Sequence, residues 1–579
     1  MLMPHHRPTT RRTCSLALLL LGGALHAQSL DWAIGLGGPN TDQGQDVAVA
    51  PDGSIYTTGY YYDQIDLDPS TASYFFFAPT NAADGFFSKY DAQGHFIWAR
   101  RLSGPDIVYP HSIAVDAAGA VYVAGSFQGT IDLDPSSGAD LHTATGSYDG
   151  FLAKYDANGN LLWGHQLGSY SYDWINQVAV DPAGQVYVTG YFTGLVDFDP
   201  GPGTTNVQGH GMADIFLAKY APDGTLGWAI GMGGAHNEEG RSLAFDAAAN
   251  IHLCGYFGDG ADFDPGPGTL ILNTQNKDTF LAVYDSTGAL IRANDLGGGT
   301  IAGSNCEAMD VAVDATGSAA ITGIFWGWID MDPGPGTTAM TPIGTGDIFV
   351  ARYDPTGALL WARQYGGTEE GIGNSVALDS SGNVYTTGYF RATVDFDPGA
   401  GVAPLNATVG RDIFVASLNA AGDHRWAFKV GGTGIEEVGY ALATTNDNTL
   451  LLAGSFGDAA CVDPALLADS LQTHGGMDAF VARYALDDVT TGIAPVESAD
   501  AVLLYPNPLH TQGEVRFTNP AHLPAYLQLY DAQGRLVLRT APTTSDRIVL
   551  DRGALAPGLY QVQLVSGDAV RDAGRWVVE

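Results

Sequence analysis

The sequence predicts an all-β protein: a seven-bladed β-propeller followed by a small β-sandwich. Three observations carry this reading. A unit of roughly 65 residues recurs seven times along the chain. Each copy holds short runs of Val, Ile, Tyr and Phe, four to a complete unit, separated by Gly, Asn and Pro turn signals. The two ends of the array are complementary, each lacking what the other holds.

The chain opens with a basic stretch (Arg7, Arg11, Arg12), an apolar run from Cys14 to Leu21 and small residues ending at Ala27. That is the layout of a cleaved secretory signal over 1–27, with the mature start near Gln28. The apolar run is shorter than the ~20 residues a membrane span needs, and no other stretch reads as a transmembrane segment. Cys254, Cys306 and Cys461 remain after cleavage. An odd number means disulfides do not organise the fold.

The third copy shows the unit most clearly. Its strands are Val178 to Val180, Val186 to Phe192, Ile215 to Tyr220 and Leu226 to Ile230, with turns at Pro182 to Gly184 and Pro222 to Gly224 and an acidic loop after the second strand. Gly59, Gly125, Gly190, Gly255, Gly323, Gly388 and Gly454 close the second strands, and Phe86, Phe151, Phe216, Phe280, Phe349, Phe414 and Phe480 sit in the third. The strands are nearly continuous apolar runs, as expected of sheets covered on both faces. A Trp marks the fourth strand at Trp32, Trp98, Trp163, Trp228, Trp361 and Trp426, with Arg292 as the departure. The Trp32 strand has no three strands before it, and the last copy stops after Phe480 to Tyr484 with no Trp strand of its own. Pairing the first strand onto the last copy closes a ring over 28–488 and removes the open edges. The first–second and third–fourth links are tight turns. The longer links therefore share the other face, where a binding surface is expected.

The unit resembles the bacterial β-propeller repeat family known as SBBP, on Ala179-Val180-Asp181, Val186-Tyr187-Val188-Thr189-Gly190, Asp214-Ile215-Phe216-Leu217-Ala218-Lys219-Tyr220 and Gly224 to Trp228. The resemblance supports the fold more than any activity. After Asp488 the pattern stops, a polar linker runs over 489–500, and seven short strand signals follow in 501–579. Pro506, Asn507 and Pro508, then Tyr530 to Arg535, then Gly558-Leu559-Tyr560 resemble the C-terminal sorting domain of type IX secretion. That resemblance implies export by the type IX machinery, with the protein released or held at the outer cell surface.

A formal charge of −38 argues against nucleic acid as a partner, because few Lys or Arg are present to replace phosphate counterions. The most distinctive polar motif is Asp-x-Asp-Pro after the second strand: Asp66/Asp68, Asp132/Asp134, Asp197/Asp199, Asp262/Asp264, Asp330/Asp332 and Asp395/Asp397, with Cys461 and Asp463 in the seventh copy. Paired carboxylates beside Gly-rich turns suit calcium, the one cofactor this donor set suggests. The favoured reading is local: Asp accepts backbone amides and Pro-Gly sets the turn. Acidic doublets recur at Glu238-Glu239, Glu369-Glu370 and Glu436-Glu437, read as a soluble rim. The Asp opening every third strand (Asp84, Asp149, Asp214, Asp278, Asp347, Asp412, Asp478) reads as a cap. The histidines His111, His165, His210, His236, His252, His424 and His474 fall at unlike positions and read mostly as loop or surface residues, and Tyr191-Phe192, Tyr256-Phe257 and Tyr389-Phe390 read as packing between blades, with stacking on sugars at the rim as the alternative.

With no catalytic residue singled out, the expected function is a noncatalytic binding or adhesion module facing an extracellular protein or glycan. The alternative is an extracellular polysaccharide-acting enzyme, marked by nonrepeated carboxylates at the ring centre about 5 to 9.5 Å apart.

Overall fold

The computed structural model describes residues 28–298, 303–445, 447–464 and 470–486, and in the C-terminal part 503–505, 512–517, 522, 524–530, 535–553, 555–556, 558–566 and 569–578. The proposed signal (1–27) and linker (489–500) lie outside the described residues. The chain divides into two compact units at Asp487/Asp488.

In the first unit every described strand is antiparallel to its neighbours, and seven four-stranded sets follow one another. Blade 1 is Asp42–Val49, Ile55–Tyr62, Ala83–Tyr90 and Phe96–Leu102. Blade 2 is Val108–Val115, Val121–Phe127, Asp149–Tyr155 and Leu161–Leu167. Blade 3 is Trp174–Val180, Val186–Phe192, Asp214–Tyr220 and Leu226–Met232. Blade 4 is Glu239–Phe245, Ile251–Phe257, Asp278–Tyr284 and Leu290–Leu296. Blade 5 is Asn305–Val313, Ala319–Trp326, Asp347–Tyr353 and Leu359–Gly367. Blade 6 is Gly371–Leu378, Val384–Asp395, Pro404–Leu418 and His424–Gly432. Blade 7 takes Val438–Thr444, Thr449–Cys461 and Ser470–Ala485 from the end of the array and Ser29–Leu36 from its start.

The closure is a paired seam. Ser29 to Leu36 runs against Ala485 to Ala479, and Ile34 and Leu36 join Val47, Ile55, Leu451 and Val481 in one buried cluster. Across it Arg483 donates to the Ala92 carbonyl (2.6 Å) and the Tyr440 hydroxyl to Gln43 (3.2 Å). First strands touch the first strands of both neighbouring blades, so they line the axis.

The repeated residues have physical reasons. Each first strand carries a bulge opposite the repeated glycine. A Cβ at Gly59, Gly190, Gly255, Gly323 or Gly388 would lie 1.9 Å from the carbonyl oxygen it faces there. The third-strand phenylalanines are all buried. The fourth-strand tryptophans are latches: Trp32, Trp98, Trp163, Trp228 and Trp361 donate 3.0–3.3 Å bonds to the third-to-fourth turn of the next blade, at Ala92, Ala157, Pro222, Ser286 and Ala420. Arg292 replaces that latch in blade 4, and among the described residues its three guanidinium nitrogens have no hydrogen-bond partner.

The second unit has two sheets: Leu503–Tyr505, Gln512–Arg516 and Arg547–Asp551 in one, and Leu536–Arg539, Ala525–Tyr530, Gly558–Ser566 and Ala569–Val578 in the other. Val515, Leu527, Leu529, Ile548, Val562 and Leu564 pack together, as in a small sandwich. Gly558 begins its longest central strand, while Pro506, Asn507 and Pro508 lie outside the described residues.

Candidate functional site

The acidic loop after each second strand is a hairpin arm. In blades 1 to 5 short ladders pair Gln64–Asp66 with Phe75–Phe77, Thr130–Asp132 with Leu141–Thr143, Leu195–Asp197 with Asn206–Gln208, Ala261–Asp262 with Ile271–Leu272 and Ile329–Asp330 with Ala339–Met340. In blades 6 and 7 the long second and third strands continue into the same arm. The arm leans back on the preceding blade: Asp66 bridges to Gly37, Asp132 to Ser103, Asp262 to Gly233 and Asp330 to Gly297, each just past a fourth strand. Arms and fourth-to-first loops therefore share one face, as the connection lengths imply.

The Asp-x-Asp-Pro pairs shape the arm tips. Oδ1 of Asp66, Asp132, Asp197, Asp262, Asp330 and Asp395 each accepts two backbone amides, two and eight residues ahead. Oδ1 of Asp68, Asp134, Asp199, Asp264, Asp332 and Asp397 each accepts one, two residues ahead. The pairs stand one per blade. Among the described residues no group of three or more His, Cys, Asp or Glu side chains is placed to hold a metal.

The Asp that opens each third strand is buried in all seven blades. Asp149, Asp214, Asp347, Asp412 and Asp478 accept the amide four residues back. The fourth strand supplies Arg101, Gln166, Gln364 and Lys429 to Asp84, Asp149, Asp347 and Asp412. Blade 4 places Asp295 there instead. Burial, with the Asp278 carboxylate beside it, lifts the Asp295 carboxyl to about 7. The fourth-to-first loop and the start of the first strand add further buried carboxyls: Asp42 facing Asp478, Asp173 facing Asp149, Glu238 facing Asp214 and Glu437 facing Asp412. Burial first, and the neighbouring carboxylate second, carries Asp42 to about 9 and Asp173 to about 6 by burial with backbone amides opposing. Glycine precedes these loops because there is no room for more: a Cβ on Gly37 would lie 2.0 Å from Asp478 Cγ. The acidic doublets are thus not uniformly a soluble rim. Glu369 is exposed, whereas Glu238 and Glu437 are fully buried.

Around the axis on the arm face the blades stop being alike. From blade 1 to blade 3 runs an aromatic arc: Tyr60 against Tyr109 (4.5 Å between ring centres), His111 stacked on Trp174 (4.9 Å), and Trp174 against Tyr148 (5.5 Å) and Tyr191 (6.1 Å). Burial drops the His111 imidazole to about 4, with Arg241 adding repulsion. His252 is also buried and lowered to about 4. Both sit within strands, Val108–Val115 and Ile251–Phe257, apart from the loop and surface positions expected of most histidines. Blades 4 to 6 instead hold paired charges: Glu239 with Arg241 (3.3 Å), Lys277 with Glu307 (2.9 Å) and Arg411 with Glu436 (2.8 Å), while the Tyr389 hydroxyl donates to Glu370 (2.6 Å). Phe192, Phe257 and Phe390 pack in the core as expected, but Tyr191 and Tyr256 turn toward a pocket of about 500 Å³ between blades 3 and 4.

Ring and rim define a β-propeller repeat protein. The chain carries SBBP repeats and a type IX sorting domain: the model described as "Beta-propeller repeat" matches 97–126, 162–193 and 360–389, and the one described as "Secretion system C-terminal sorting domain" matches 503–579. Such a C-terminal domain marks proteins exported by type IX secretion to the cell surface or the extracellular space, and it implies engagement with that machinery. An uncharacterized WD repeat-containing protein of Acanthamoeba polyphaga mimivirus is 24% identical over 542 residues, covering 78% of this chain and 38% of the relative. Regulatory protein FlaEY of Caulobacter vibrioides is 26% identical over 380 residues, covering 62% and 37%. The chain thus spans less than two-fifths of either relative. A solved puromycin hydrolase mutant complexed with PGG is 12% identical, with a TM-score of 0.38 over 83% of this chain and 59% of that one. No helix among the described residues is long and apolar enough to cross a membrane.

Proposed function

We propose that the exported propeller is a noncatalytic binding module that presents its arm face to an extracellular glycan. The observation that supports this is the nonrepeated aromatic arc at the axis. Residues that recur in every blade answer to the fold, whereas Tyr148 and Tyr172 recur in none of the equivalent places, and the place that Tyr109 and Trp174 share is aromatic in blades 2 and 3 alone. Large aromatic faces beside polar groups are what a binding pocket needs.

The carboxylates nearby are engaged, which favours binding over hydrolysis. Glu239 accepts from Asn176 (2.8 Å) and Tyr256 (2.8 Å), and Glu238 accepts the amides of Gly234 and Gly258. Glycoside hydrolysis instead uses one carboxyl to protonate the leaving group and a second to act on the sugar or a water. In the same reading the Asp-x-Asp-Pro pairs are turn clamps.

The test is a glycan array probed with the purified secreted protein, followed by chromatography of any bound glycan after long incubation. Binding with the glycan recovered intact is the expected result. Shortened products would replace this reading with the polysaccharide-acting enzyme.

A further inference from the structure

Resting on that reading, we infer that the pocket between blades 3 and 4 is the sugar subsite, and that it takes a ring of a neutral oligosaccharide. Its walls are Tyr172, Tyr191 and Tyr256 on the aromatic side, with Met212, Asn237 and Glu239 completing it. Three features single it out.

First, the Tyr172 side of the wall is nonrepeated. The fourth-to-first loop between blades 2 and 3 reads Ser169-Tyr170-Ser171-Tyr172, where the next such loop has Gly234-Ala235-His236-Asn237. Tyr172 is 50% exposed and Met212 61% exposed. Both leave apolar surface in water beside a concavity.

Second, the wall is held in place before anything binds. The Tyr172 ring stacks on Tyr148 (6.0 Å), and its carbonyl accepts from Thr193 Oγ1 (3.1 Å). Asp173 behind it accepts from the Ser169 and Thr193 amides (2.6 and 2.9 Å). The Met212 amide donates to the His236 carbonyl (3.2 Å), fixing the opposite wall. A site ordered in advance loses less entropy on binding.

Third, the chemistry is two-sided. Tyrosine faces suit the apolar C–H face of a sugar ring, and the Glu239 carboxylate and Asn237 amide suit its hydroxyls. Glu239 is oriented by Asn176, Tyr256 and Arg241. Two cationic groups lie over Tyr256, Lys277 at 4.0 Å and Arg241 at 5.7 Å from the ring centre, and each is already paired with a carboxylate, Glu307 and Glu239. With a net charge of −38 around it, the pocket disfavours sulfated or uronic acid chains.

The experiment titrates the full secreted protein with neutral gluco-, xylo-, manno- and N-acetylglucosamine oligosaccharides by calorimetry. The variants are Tyr172→Ala, Tyr172→Trp, Glu239→Gln and, as control, Leu162→Ala at an exposed position on the outer strand of blade 2. The wild type should bind at least one probe. Tyr172→Ala and Glu239→Gln should each weaken it by about tenfold or more, Tyr172→Trp should restore it, and Leu162→Ala should leave it unchanged. Because Tyr172 is half exposed, its truncation leaves the core intact, and the melting curve checks this. If the wild type binds and Tyr172→Ala binds equally well, the subsite is overturned while the binding module stands. If the wild type binds no neutral probe, the subsite is overturned, and the glycan array alone decides the binding module.

Discussion

Buried carboxyls at the ring seam predict an unusual pH dependence, which Asp42→Asn tests. Asp42 has an ordinary value of 3.8 and is raised to about 9 in the folded ring, by burial first and by Asp478 second. A folded value above the unfolded one means the folded chain holds a proton that the unfolded chain has released. Stability from this group is complete below the unfolded value and is lost as pH rises toward the folded one. Each such proton changes stability by about 1.4 kcal/mol per pH unit. Between about pH 6 and about pH 8 the loss from Asp42 is therefore about 3 kcal/mol. Unfolding entropy near 2 cal/mol/K per residue gives a ring of several hundred residues about 1 kcal/mol/K, so Tm falls by about 3 °C from this group alone. Glu437, raised by burial and by Asp412, acts in the same direction. General charge repulsion also eases in acid, so the wild-type slope does not isolate Asp42. The difference from Asp42→Asn does. The asparagine keeps an oxygen for the Gly38 amide, which now donates to Asp42 Oδ2 (2.6 Å), and offers Asp478 an N–H donor. By scanning calorimetry the variant should melt with the wild type near pH 5 and about 3 °C or more above it near pH 8. A variant less stable than the wild type at both pH values would refute the reasoning.

Arg292→Trp should restore the missing latch of blade 4 and raise stability by about 1 kcal/mol, the worth of a typical net hydrogen bond, read as a higher urea midpoint. A lower midpoint would show that the guanidinium is stabilising where it stands. For the Asp-x-Asp-Pro pairs, Oδ1 is already committed to backbone amides, so Tm should be the same with calcium and with chelator. A rise in calcium would assign Asp66/Asp68 and their equivalents as cation ligands.

The seven sheets, their tight turns and the closing seam were legible because they repeat. Gly59 and its equivalents, the third-strand Phe and the offset Trp32 strand each mark a backbone or packing need that every copy meets. What lies between the strands was harder to see. The arms read as loops because ladders as short as Ala261–Asp262 with Ile271–Leu272 carry no period. The carboxyl pairs escaped notice because Asp42 and Asp478 sit at opposite ends of the chain and meet only when the ring closes. Glu238 and Glu437 looked like solvent-facing doublets because sequence does not show which of two adjacent carboxylates turns inward. The pocket draws Tyr172, Met212 and Tyr256 from three kinds of segment, and only the recurring Tyr191 and Tyr256, open to sugar stacking, pointed toward it.

The borrowed strand also sets an order of assembly. Ser29–Leu36 is made early, yet its partner Ser470–Ala485 is the last propeller strand to be synthesised. Until that strand exists, Ile34 and Leu36 have no seat and the growing stack has a sticky edge at each end. The ring is thus completed by its oldest piece. Locking is a single late event that depends on the whole array having been made, so a chain truncated anywhere before residue 470 has no closed form to reach.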